Sequence, residues 1–91
     1  MYVVNERDTA DARPRGYDSW LAFWKAKSGT HYQPRCCVKG CNEQAEDGAH
    51  VYKAGSVSSM SYIVPMCHEH NTQFGSELEI KDNTKLISAP R

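Results

Sequence analysis

Four cysteines in a chain of 91 residues restrict the fold more than any other feature: Cys36, Cys37 and Cys41 fall in one short stretch, and Cys67 follows with His70 close behind. A domain of this size buries too little apolar surface to be secure alone, and small domains generally depend on disulfides, a metal or a partner. Apolar residues are 40% of the chain, so the core is thin and a staple is expected. The start of the chain mixes Arg with Asp and Glu instead of leading into an apolar stretch, and no apolar run approaches a membrane span. The expectation is a cytoplasmic, intracellular protein with no membrane association, where paired thiols signify metal and not disulfide.

Tetrahedral zinc takes four soft or borderline donors, commonly two from a knuckle and two from the first turn of a helix. Cys36-Cys37-Val38-Lys39-Gly40-Cys41 brackets a turn, with Gly placed for a tight bend before the last cysteine. Cys67-His68-Glu69-His70 opens a helical turn in which Cys67 and His70 reach one ion while His68 points elsewhere. The expected ligands of a structural zinc are therefore Cys36, Cys41, Cys67 and His70, with Cys37 as the competitor of Cys36. The opposing reading makes the cysteines buried small hydrophobes and His70 a surface residue. Magnitudes favour zinc: about 10–16 kcal/mol of apparent binding energy in finger peptides, against about 3–5 kcal/mol from a core of this size.

Residues 1–16 read as a mobile N-terminal arm, since Glu6, Asp8 and Asp11 are interspersed with Arg7, Arg13 and Arg15 without apolar periodicity; residues 17–91 read as a single domain. A helix is expected over residues 19–28, with Asp18 as N-cap, Lys25 and Lys27 in the last turn and Gly29 at the end. Its Trp20, Phe23 and Trp24 belong against the core or, less economically, on an exposed binding face. Strands are expected over residues 49–54 and 61–66, paired as a hairpin through a Gly/Ser-rich connection. The turn opened by Cys67 is expected to end at Gly75, and residues 77–80 and 85–88 to form a C-terminal hairpin around Asp82-Asn83.

The order of a cysteine knuckle, a strand carrying Ala49-His50-Val51, a second strand Tyr62-Ile63-Val64-Pro65-Met66 running into Cys67, and then His70-Asn71 resembles the zinc-containing treble-clef branch of the HNH (ββα-metal) endonucleases. The resemblance covers roughly residues 36–74 and implies a small zinc-stapled treble-clef domain; with the N-terminal aromatic helix and the C-terminal hairpin read from the residues, the expected fold is α+β. It also implies His50 as general base and Asn71 as ligand of a second, catalytic metal. Two positions depart from the family pattern. Ala49 stands where an acidic or imidazole ligand is expected, and Tyr62 stands where an Asn would brace the base. Read on its own, His50 is a base, an additional zinc ligand or a strand histidine bonded to a carbonyl, and Asn71 equally satisfies backbone groups of a first helical turn.

Eleven basic and eleven acidic residues balance, which argues against a dedicated DNA-binding face. A local patch of Arg35, Lys39 and Lys53 with Tyr52 for stacking is offset by Glu43, Glu46 and Asp47. The expected function is a zinc-binding, HNH-like, non-catalytic interaction module for protein or nucleic acid, a small phage-type regulator being one form of it. The alternative is a small metal-dependent nuclease that uses His50 with Mg2+ or Mn2+.

Overall fold

The computed structural model describes residues 1–6, 13–57 and 60–90. Along the chain come β1 (Tyr2–Asn5), α1 (Trp20–Ser28), β2 (Asp47–Lys53), β3 (Tyr62–Met66), α2 (His68–Asn71), β4 (Glu77–Glu79) and β5 (Ile87–Ser88). The strands form one sheet in the order β4-β1-β2-β3-β5, and every neighbouring pair is antiparallel. The architecture is α+β.

The β2–β3 pair that residues such as Val51, Ile63 and Val64 favour is present, with Ala49 opposite Val64 and His50 opposite Ile63. Side chains alternate across a strand, so this register sorts the residues onto two faces. Val3, Ala49, Val51, Val64, Met66 and Leu78 share one face and pack with Cys36, Cys37, Val38 and Cys67. On the other face Ile63 packs under Phe23 and Trp24 of α1. The knuckle and α1 thus sandwich the sheet.

Ser19, not Asp18, caps α1: its Oγ accepts from the Ala22 amide at 3.0 Å, and Gly29 closes the helix in the left-handed region at φ 73°. The aromatic helix is docked. Phe23 and Trp24 are each 6% exposed, and the Trp24 indole donates to the Lys85 carbonyl at 2.8 Å. The helix descends onto β2 at Gly48, where a Cβ would lie 2.4 Å from the Trp20 carbonyl carbon, so glycine is what permits this approach.

Three expectations need correction. Residues 2–5 of the expected arm form β1, which lies inside the sheet between β4 and β2, with Val3 fully buried and paired with Lys53 and Leu78. Tyr2, Val3 and Val4 have strong strand preference, and alternation places Val3 in the core. Residues 13–16 of the expected arm are described too, with Pro14 buried and its carbonyl accepting from the Tyr17 amide at 3.2 Å, whereas residues 7–12 lie outside the described residues, as do positions 58 and 59 of the β2–β3 connection. The C-terminal hairpin does not form either, because β4 pairs with β1 while β5 pairs with β3 on the far edge. The Asp82-Asn83 turn is present, with the Thr84 amide donating to the Lys81 carbonyl at 3.1 Å, but it carries the chain from one side of the sheet to the other. Finally, α2 ends at Thr72, and Gly75 instead donates its amide to the Asn5 carbonyl at 3.0 Å.

The knuckle is tied in along its length. Ala45 N–H donates to the Pro34 carbonyl at 3.0 Å and Cys36 N–H to that of Glu43 at 2.8 Å. Between them, Cys37 N–H donates to the Pro65 carbonyl of β3, Lys39 N–H to the Glu79 carbonyl of β4, and Lys81 N–H to the Cys37 carbonyl, each at 2.9 Å. Among the described residues, no helix is long and apolar enough to cross a membrane.

Candidate metal centre

Two local motifs converge on one point. In the knuckle, Gly40 adopts φ 84° and the Cys41 amide closes back on the Val38 carbonyl at 3.0 Å, which turns Cys41 toward Cys36. At the end of β3, Cys67 occupies the N-cap of α2, and the single helical turn brings His70 over it, as the 2.9 Å bond from the Asn71 amide to the Cys67 carbonyl requires. The Sγ atoms of Cys36, Cys41 and Cys67 and a ring nitrogen of His70 all lie within 4.8 Å of one another. His70 Nδ1 is 3.1 Å from Cys67 Sγ and 3.7 Å from Cys36 Sγ.

These spacings suit a shared ion. Zinc–sulfur bonds of about 2.3 Å and zinc–nitrogen bonds of about 2.0–2.1 Å in a tetrahedron set donor-to-donor edges of roughly 3.5–3.8 Å. The cluster is compatible with a bound metal such as zinc. Burial, with Cys67 adjacent, pushes the Cys36 thiol up to about 12, and a cation bound beside it would favour its thiolate. Cys37 does not join the cluster. Burial pushes its thiol up as well, and its side chain packs with Val38, Val64 and Met66 in the core.

One contributor was invisible in the sequence. Lys81 Nζ donates to the backbone carbonyls of Cys36 and Cys41, each at 2.9 Å, and so clamps both ends of the knuckle. Nothing local marks this lysine, which comes forty and more positions after the residues it holds. Asp47 is a second such residue: its Oδ2 accepts from His68 Nδ1 at 2.9 Å and from Asn71 Nδ2 at 3.0 Å. That contact raises the pKa of His68.

His50 and Asn71 make separate sets of contacts. His50 projects from the sheet face opposite Ala49, lies 9% exposed, and meets Trp20 edge-on with ring centroids 4.5 Å apart. Burial lowers its pKa. Asn71 binds Asp47 through its Nδ2, and its Oδ1 accepts from Asn5 Nδ2 at 3.3 Å. Asn71 lines a cleft with Asp18, Ser19, Trp20, Asp47 and His68, whereas His50 does not line it. Ala49 is buried in the core, and Tyr62 lies under the Lys53 ammonium at 5.2 Å from its ring centre. No family model, curated protein or solved structure matches the chain.

Proposed function

We propose that the chain is a zinc-stapled, non-hydrolytic interaction module in which the knuckle, β2, β3 and α2 form an HNH-like treble clef. Cys36, Cys41, Cys67 and His70 hold the ion, which supplies folding energy by closing the knuckle onto α2. One observation supports the reading: four protein donors lie within 4.8 Å of one another, so a tetrahedral ion held by all four would have no position left for an activated water. A general base acts only within hydrogen-bond reach of the proton it removes, and Trp20 stands over His50.

The test joins composition to activity. Elemental analysis of purified protein should give one zinc per chain, and incubation with single- and double-stranded DNA in Mg2+ or Mn2+ should give no cleavage. Strong cleavage that disappears in His50→Ala, with zinc content and fold retained, would establish the nuclease instead. A metal-free protein that stays folded would remove the staple.

A further inference from the structure

Between the C-terminal end of α1, the knuckle and the turn after β4 lies a cleft of about 250 Å3. Arg35, Lys81 and Lys85 line it, and no carboxylate does. In a chain with balanced charge this is local segregation: no Asp or Glu occurs between Asp18 and Glu43, a stretch that holds Lys25, Lys27, Arg35 and Lys39.

The three cations are oriented but not neutralised. Lys85 Nζ donates to the Ser28 carbonyl at 2.9 Å, Arg35 Nη1 to the Asn42 carbonyl at 2.7 Å, and Lys81 to the two knuckle carbonyls. Among the described residues none of them is in an ion pair. An ammonium carries three donors and a guanidinium five, so each group keeps N–H bonds for a ligand after holding its carbonyl. Charge fixed by neutral partners in a concave site is preorganised for an anion. Tyr32 lines the same cleft and is 71% exposed, which leaves its ring open to a planar partner at the mouth.

We propose that this cleft binds the phosphate of a nucleotide unit, with Arg35 and Lys85 on the phosphate oxygens and the base stacked on Tyr32. The space suits one phosphate and its sugar, while an aromatic ring outside it accepts any base, which is how sequence-tolerant single-strand binding works. The proposal deepens the interaction-module reading and rests on it for the non-hydrolytic outcome. Lys81 is shared with the metal centre, so the test leaves it unchanged.

Zinc-loaded full-length protein is titrated against a short fluorescent single-stranded DNA, with inorganic phosphate, a nucleoside monophosphate and polyglutamate as competitors. Binding is expected to weaken in the Arg35→Gln, Lys85→Gln double variant, with the salt dependence of log Kd falling by roughly 1.4 for two lost phosphate contacts. Tyr32→Ala should weaken the oligonucleotide and the monophosphate by about tenfold and leave competition by inorganic phosphate unchanged. Arg15→Gln, at an exposed arginine outside the cleft, should change nothing. A monophosphate that competes as well as the strand assigns a free nucleotide, and a tighter strand assigns single-stranded nucleic acid. The proposal falls if no phosphate-bearing probe binds, if the double variant with full zinc binds like the unaltered protein, or if polyglutamate competes as well as the strand. Absent binding with full zinc and no cleavage removes the cleft alone. Binding accompanied by cleavage keeps the cleft and removes the non-hydrolytic reading.

Discussion

Cys36 and Cys37 are neighbours in sequence with opposite roles: the knuckle turns one sulfur to Cys41, Cys67 and His70 and the other into the apolar core. Cys41→Ser and Cys67→Ser should each abolish stoichiometric zinc and unfold the protein. Cys37→Ser should keep its zinc and lose about 1–3 kcal/mol, because a hydroxyl replaces a thiol among apolar side chains. Elemental analysis with urea titration of the variants checks both outcomes. At His50 the consequence is a pH dependence. The folded state holds the imidazole neutral below its ordinary value of 6.5, whereas the unfolded chain takes up the proton there. Its contribution is present in full above that pH and is lost progressively as acid is added. Urea midpoints between neutral and mildly acid pH should fall for the unaltered protein, and less steeply for His50→Leu; equal slopes would refute the assignment.

At the scale of elements, β1 carries more than its length suggests. Val3 is fully buried between Lys53 and Leu78, so Val3→Ala should cost about 2 kcal/mol, and removal of residues 1–5 should lower the melting temperature sharply, as differential scanning calorimetry would record. Gly48→Ala should destabilise beyond any effect on strand propensity, because the new methyl group meets backbone atoms of Trp20 and Leu21 and pushes α1 off the sheet. Circular dichroism melts and tryptophan emission would report that loss. Legibility in the sequence follows the same division. The α1 helix, the β2–β3 pair and the metal-donor spacing are written in runs of ten residues or fewer, where periodicity and ligand gaps are local properties. The four residues of β1 were masked by the charges that follow them. With β1 hidden, β4 has no visible partner and nearness in sequence sets it against β5, although β5 pairs with β3, a strand that the sequence does show. Lys81 and Asp47 act on residues distant in the chain, so only the fold brings them to the site.

At the scale of the whole molecule, two modest cores share one sheet, one beneath the knuckle and one beneath α1. Neither is large enough to be independent, so both faces should melt in a single transition, with near- and far-ultraviolet circular dichroism tracing the same curve. The backbone bonds of Cys37 to Pro65 and Lys81, and of Lys39 to Glu79, place the knuckle along strand backbone that would otherwise be open. An open strand edge is a template for another chain, and natural sheets cover such edges to stay apart. In the proposed reading, an ion that closes the knuckle would therefore also guard solubility. Chelation at micromolar protein should produce light scattering and thioflavin fluorescence before a free unfolded monomer accumulates, and a Lys or Pro substitution at exposed Glu77 on β4 should suppress that assembly without restoring the fold.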